Sequence, residues 1–267
     1  MKMKIINSMQ IAIIKKDFMS MVSNKRLFSV LLIVPLMFTV VIPSIFILTI
    51  NFVPNEAGDF KALLDMMPSG KQLDTMGRTL TSLILNFIMP IFFVLIPIMS
   101  ASVMAASSFI GEKEKRTLET LLYCPLPLKQ IFQAKVLASF LLSMTVSFVS
   151  FFVMMIVVET EILLLTGSML VPDIAWLVIM LIVSPAVSLL AITLIVGGSA
   201  KAQTVEESQQ RAVFLILPII LLVVGQFTGI ILINALYLLI VGAVFAAIAY
   251  ILLKRSMRNF TYEILLR

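Results

Sequence analysis

Residues 136–158 read VLASFLLSMTVSFVSFFVMMIVV, a run without a single charged side chain. At ~1.5 Å rise per residue, about 20 apolar residues in a helix cross the ~30 Å hydrocarbon core of a bilayer. This run is long enough to do so. It is not isolated, because the whole chain of 267 residues is 61% hydrophobic and only 13% charged, with a mean hydropathy of +1.12. Such usage lies well outside that of soluble globular domains. Working outward by length, five further runs reach the same size, near 27–53, 80–108, 174–197, 212–231 and 235–253. The last two form one nearly continuous apolar stretch, divided at Asn234 because one crossing cannot use about 40 residues. The expectation is an all-α membrane protein with six transmembrane helices in a single domain over 1–267.

Lys and Arg accumulate on cytoplasmic flanks. With the N-terminus inside, the six runs place every Lys and Arg in the cytoplasm except Lys61, Lys71 and Arg78. Both termini are then cytoplasmic and the protein is a multi-pass component of the plasma membrane. The formal charge of +6 follows this topology and contact with anionic membrane lipid, and does not point to nucleic acid.

Two smaller helices are expected beside the spans. Near the N-terminus Ile11, Ile14, Phe18, Met21 and Val22 follow a helical stripe with Lys15, Lys16 and Ser20 off it, the pattern of an amphipathic helix lying in the membrane interface. The first 26 residues lack the compact apolar core and small-residue cleavage site of a removable signal. On the outer side, Asp59 is placed to cap a short helix bearing Phe60, Leu63, Leu64 and Met67.

The longest polar interruption is 111–135, GEKEKRTLETLLYCPLPLKQIFQAK. Glu112, Lys113, Glu114, Lys115, Arg116 and Glu119 cannot lie in lipid, where each charge costs roughly 2.5–3.5 kcal/mol at the bilayer centre. Beyond them Leu118, Leu121 and Leu122 recur at helical spacing, and Pro125 and Pro127 end that helix before another starts at Leu128. A helix–helix connection needs only two to eight residues. A loop of this length, with leucines on one side and charges around them, has the features of a docking element: apolar anchors for a groove and charges that fix orientation.

These residues resemble the first cytoplasmic loop of the permeases of type-2 ABC transporters, which reads approximately G-E-K/R-E-x-G-T-L-E-x-L-L-x-x-P and then G-K. Here Gly111-Glu112-Lys113-Glu114, Thr117-Leu118-Glu119, Leu121-Leu122, Pro125 and Ala134-Lys135 match it, with Arg116 where Gly is common and Ala134 in place of the second Gly. The segment SAKAQTVEESQQRAVFLILP at 199–218 and the basic end LLKRSMRNF at 252–260 are also similar to this family. The resemblance implies that 111–135 carries a coupling helix, with Glu112, Lys113, Glu114, Arg116, Leu118, Glu119, Leu121 and Leu122 meeting a separate cytoplasmic ATPase subunit. It implies a second permease copy or a related permease, and ATP and Mg on the partner with no cofactor in this chain. The cargo of such a permease, an exporter, would be lipophilic or amphipathic, such as a drug, an antimicrobial peptide or a lipid-like molecule, or else sodium.

Enzymatic readings find little support. No G-x-x-x-x-G-K-[ST] occurs, so ATP hydrolysis is not expected here. EESQQR at 206–211 fits the E-E-x-x-x-R element of intramembrane proteases, but their site also needs histidines and the chain has none. The same absence excludes most zinc sites and Ser-His or Cys-His triads. Cys124, the one cysteine, is expected as a free thiol. Polar residues within the spans, among them Asn86, Ser100, Ser147, Ser184 and Ser188, either line a pathway or satisfy neighbouring helices. Pro35, Pro43, Pro90, Pro97, Pro185 and Pro218 should kink their helices. Gly225 and Gly229 form a G-x-x-x-G at the outer end of the fifth run. The alternative to a permease is a non-transport membrane sensor or immunity component that docks some other cytoplasmic partner through 111–135.

Overall fold

The computed structural model describes residues 8–52, 76–114, 117, 125–167, 169–170, 172–198, 204–210, 214, 216–217, 219–221, 224 and 235–259. Among them every regular element is helical. Helix α1 covers Ser8–Ser23. A second rod joins α2 (Lys25–Leu36), a π-helical segment π1 (Met37–Val41) and α3 (Ile42–Phe52). The third joins α4 (Met76–Leu83), π2 (Ile84–Ile88) and α5 (Met89–Glu114). Then come α6 (Leu128–Thr166), a rod of α7 (Ile174–Val178), π3 (Ile179–Val183) and α8 (Ser184–Gly198), the short α9 (Val205–Gln210) and α10 (Ala235–Asn259).

Five helical stretches among the described residues are long and apolar enough to cross a membrane: Leu31–Ile50, Gly77–Glu114, Leu128–Thr166, Ile174–Gly197 and Ala235–Arg258. They correspond to five of the six runs counted in the sequence. Of the run at 212–231 only Phe214, Ile216, Leu217, Ile219, Ile220, Leu221 and Val224 are described, all helical. The division at Asn234, the Gly225–Gly229 pair, the outer helix near Asp59 and the thiol of Cys124 lie outside the described residues.

The run quoted first extends beyond its expected ends. It is part of α6, whose 39 residues make a rod of ~58 Å. Pro127 is extended (φ −63°, ψ 142°) and opens the helix, a place where its missing N–H costs nothing. The far end closes on Gly167, at φ 70°, whose N–H donates to the Leu163 carbonyl at 2.9 Å. A residue with a Cβ would be strained at that left-handed position.

Each π segment has the same sequence cause. Met37–Val41, Ile84–Ile88 and Ile179–Val183 each end two residues before a proline: Pro43, Pro90 and Pro185. A proline ring clashes with the carbonyl four residues back and offers it no N–H. Those carbonyls belong to Thr39, Asn86 and Leu181, all inside the widened turns. The expected kinks at these prolines therefore take the form of a π turn that makes room for the ring.

The rod containing α5 is the centre of the bundle. In its most apolar window 72% of residues are buried within the chain, against 17% for α10 at the edge. α6 and α8 flank α5, and α10 lies against α8 and π3. Phe93, Phe151 and Trp176 meet edge-on or tilted at 5.6–5.9 Å between centroids. Trp176 Nε1 donates to the Leu85 carbonyl at 3.1 Å. The α10 contact depends on Gly242, where a Cβ would stand 2.9 Å from Ile182 Cγ2 and 3.2 Å from Val183 Cγ2. Gly242→Val should lower stability by about 1–3 kcal/mol through overpacking. Thermal unfolding of the purified variant checks this, and an unchanged midpoint would mean that α10 does not sit against π3.

Candidate functional site

At one end of the bundle, α1 packs on α6 and reaches the end of α5 through the side chains of Lys16 and Asp17. The buried face of α1 is Ile13, Asp17 and Met21, at i, i+4 and i+8. Ile11, Phe18 and Val22 from the expected stripe point away from the chain and are exposed, while Met21 is buried and Ile14 half-buried. The helix thus has two working faces. One packs on the protein through a carboxylate and two apolar residues, and the adjoining one is apolar and open.

Asp17 meets a network of charges. Lys135, only 2% exposed, sits in the third turn of α6. Its Nζ ion-pairs with Glu112 Oε2 at 2.8 Å and with Asp17 Oδ2 at 3.8 Å. It also donates to the Ser108 carbonyl and lies 5.5 Å from the centroid of the Phe109 ring. Ser108 Oγ donates to Asp17 Oδ2 at 2.6 Å. The second oxygen of Glu112 accepts from Lys16 Nζ at 2.8 Å. Two ammonium groups and two carboxylates make the cluster neutral, the condition under which charges can stay buried.

The strands of sequence singled out above converge here. Glu112 lies in the last turn of α5 and Lys135 in the third turn of α6, so the ion pair ties together the two helices that the 111–135 segment connects. Thr117 N–H donates to the Glu112 carbonyl at 2.9 Å, closing the end of α5. Glu114 Oε2 accepts from the backbone N–H of Val205 at 3.3 Å, which brings α9, from the 199–218 segment, beside the loop. Lys113 is half-buried and Glu114 exposed. Arg116, Leu118, Glu119, Leu121 and Leu122 lie outside the described residues.

The polar residues of the spans occupy helix seams. Ser143 Oγ lies 2.9 Å from Ser100 Oγ and 3.1 Å from Ser188 Oγ, linking α6 to α5 and α8. Ser100 also donates to the Ile96 carbonyl and Ser147 to the Ser143 carbonyl, so their hydroxyls are satisfied within their own helices. Ser184 and Ser188 are fully buried. Asn86 Oδ1 accepts from the Asp173 N–H at 2.8 Å, tying π2 to the start of α7. At the other end of α6, Ser44 Oγ donates to Glu161 Oε1 at 2.7 Å.

Among the described residues no group of three or more His, Cys, Asp or Glu could hold a metal ion. From the sequence Glu112 is expected to meet a partner subunit and Lys135 is only a position in the loop pattern; their burial and pairing, and the parts played by Asp17, Ser108 and Lys16, are not legible there. The available signal was the position of Asp17 between Ile13 and Met21 on one helical face.

A neutral charge cluster at the base of a long polar loop, on a bundle of five long apolar helices, describes a multi-pass membrane protein with a structured, loop-bearing end. The family model described as ABC-2 family transporter protein matches residues 11–233, and the chain belongs to that family. Comparison with curated proteins and comparison with solved structures each gave no match.

Proposed function

We propose that this chain is the membrane-spanning permease subunit of an ATP-driven exporter, and that its 111–135 loop docks on a separate ATPase. ABC-2 family permeases generally pair with such a subunit. The observation that carries the reading is the buried Glu112–Lys135 ion pair. A docking loop transmits movement only if its ends cannot slip against the helices they enter. Here both ends are pinned to each other, to α1 through Lys16 and Asp17, and next to α9 through Glu114. A partner that displaces the loop then displaces α1, α5 and α6 together. ATP and Mg belong to the partner, a second permease completes the pathway, and the loop end faces the cytoplasm. The apolar surface of the spans favours a lipophilic or amphipathic cargo.

Inside-out vesicles containing the chain and its ATPase should take up such a cargo on addition of ATP. In intact cells, a cysteine at the exposed position Met169 should react with an impermeant thiol reagent in a Cys124→Ser background, and one at the exposed Lys129 should not. Reaction at Lys129 from outside would reverse the topology. ATP-independent behaviour with no ATPase bound to the chain would favour the sensor or immunity reading.

A further inference from the structure

Beside the charge cluster lies a half-open cleft of about 210 Å³ between α1, α5 and α6. Lys16, 56% exposed at its side chain, stands at the cleft, and Ser108, Thr117 and Ser139 contribute hydroxyls, with Met21 and Met104 as apolar wall. Ser139 is fully buried, and its Oγ has no hydrogen-bond partner among the described residues. On the same helix Ser143 and Ser147 donate to the Pro97 and Ser143 carbonyls, and Ser150 is, like Ser139, buried with a hydroxyl unpaired among the described residues; of these two only Ser139 lines the cleft. A buried hydroxyl left unpaired costs free energy unless something else fills its valence. A cleft lined by it is therefore built for a polar occupant.

The surroundings define that occupant. The exposed stripe of Ile11, Phe18 and Val22 on α1 seats the cleft at the level of lipid headgroups. The buried Asp17, Glu112 and Lys135 sum to one negative charge, which the exposed Lys16 offsets through its pair with Glu112, so a further charge would be tolerated only out at Lys16 rather than in the interior. An anion belongs at the mouth, and uncharged hydrogen-bonding groups belong inside.

We propose that this cleft binds the headgroup of an anionic glycerophospholipid, its phosphate against Lys16 and its hydroxylated end among Ser108, Thr117 and Ser139. This deepens the proposed function and rests on it in one respect, that the lipid comes from the inner leaflet. Because the cleft is walled by the same Asp17 and Glu112 that pin the loop, a bound headgroup braces the loop's base against α1. Lipid composition thereby regulates the rigidity of the docking end.

The full-length chain is reconstituted in nanodiscs of phosphatidylcholine with or without phosphatidylglycerol, then released and read by native mass spectrometry for retained lipid. One phosphatidylglycerol per chain should persist. Lys16→Gln should weaken its retention about fivefold, the worth of one basic side chain at a membrane surface. Lys129→Gln, which removes an equal charge from an exposed position on the same end, should leave retention unchanged. Ser139→Leu, which fills the cleft, should abolish it. Ser139→Ala, which keeps the volume and removes only the hydroxyl, should weaken it without disturbing the thermal midpoint. Equal retention in the wild type and both Ser139 variants overturns the site, as does equal loss in Lys16→Gln and Lys129→Gln. Soluble glycerol phosphate that displaces the lipid at millimolar concentration would assign the cleft to a free phosphate ester instead. Both nanodisc leaflets share one composition, so these results do not depend on orientation. The thiol-labelling experiment tests orientation separately.

Discussion

Replacing Leu118 and Leu122 together by Asp should abolish coupled transport and weaken ATPase binding by orders of magnitude. The two leucines are four residues apart in the sequence of the 111–135 loop, and on the proposed docking each Asp would enter an apolar groove as an unpaired charge at a cost of several kcal/mol. At about 1.4 kcal/mol per tenfold, two such losses exceed the affinity of most transient complexes. Glu119→Lys should do less, because a charge at the rim changes association rate and orientation more than affinity. Membrane insertion should be unaffected, since the substitutions lie outside the apolar runs. The measurement is co-purification with the ATPase and cargo-stimulated ATP hydrolysis, with variants matched for abundance in the membrane. A well-inserted double variant that binds and transports normally would remove the loop from the docking interface.

The second large effect is expected at Lys135. Lys135→Met conserves much of the side-chain volume but leaves the carboxylates of Asp17 and Glu112 without their shared cation. Breaking a buried pair in this way costs about 3–5 kcal/mol. Purified Lys135→Met should unfold at a much lower temperature than the wild type, and the little that folds should bind the ATPase without coupling. The triple variant Lys135→Met, Asp17→Asn, Glu112→Gln should recover much of the lost stability, because removing all members of a buried ionic group is far less costly than removing one. Coupling should return only as far as the neutral cluster still pins α1. A single variant as stable as the wild type would show that the cluster does not hold this end of the bundle together.

What the sequence made legible follows from the range of each interaction. The long apolar runs need no partner to be recognised, since their length alone meets the bilayer. Glu112 and Lys135 stood out as positions of one short pattern, but their pairing did not, because the residues between them hide that the two helices bring them together. Asp17 did not stand out, because its partners Ser108 and Lys135 lie far along the chain and a lone carboxylate in a helix with three neighbouring basic and polar positions reads as solvated. The N-terminal stripe was read correctly as apolar, but periodicity cannot say whether protein or something else covers it. The structure gives the protein contact to the adjoining face, Ile13, Asp17 and Met21. Of the six prolines expected to kink their helices, Pro43, Pro90 and Pro185 follow π turns, Pro35 and Pro97 lie inside α2 and α5 without a π turn before them, and Pro218 is outside the described residues, so the sequence marks the sites of strain but not the form it takes.

The unbroken length of α6 has a mechanical consequence. Three of the other apolar rods contain a widened turn where they can bend, but α6 runs from Leu128 to Thr166 as one α-helix. It is held near its first end by Lys135 and near its last by Ser44 on Glu161. A stiff beam of ~58 Å that tilts by about 10° about one end sweeps its other end through about 10 Å. In a rod without a widened turn, any change of tilt is carried whole from one end to the other, which the three rods interrupted at their prolines are not built to do.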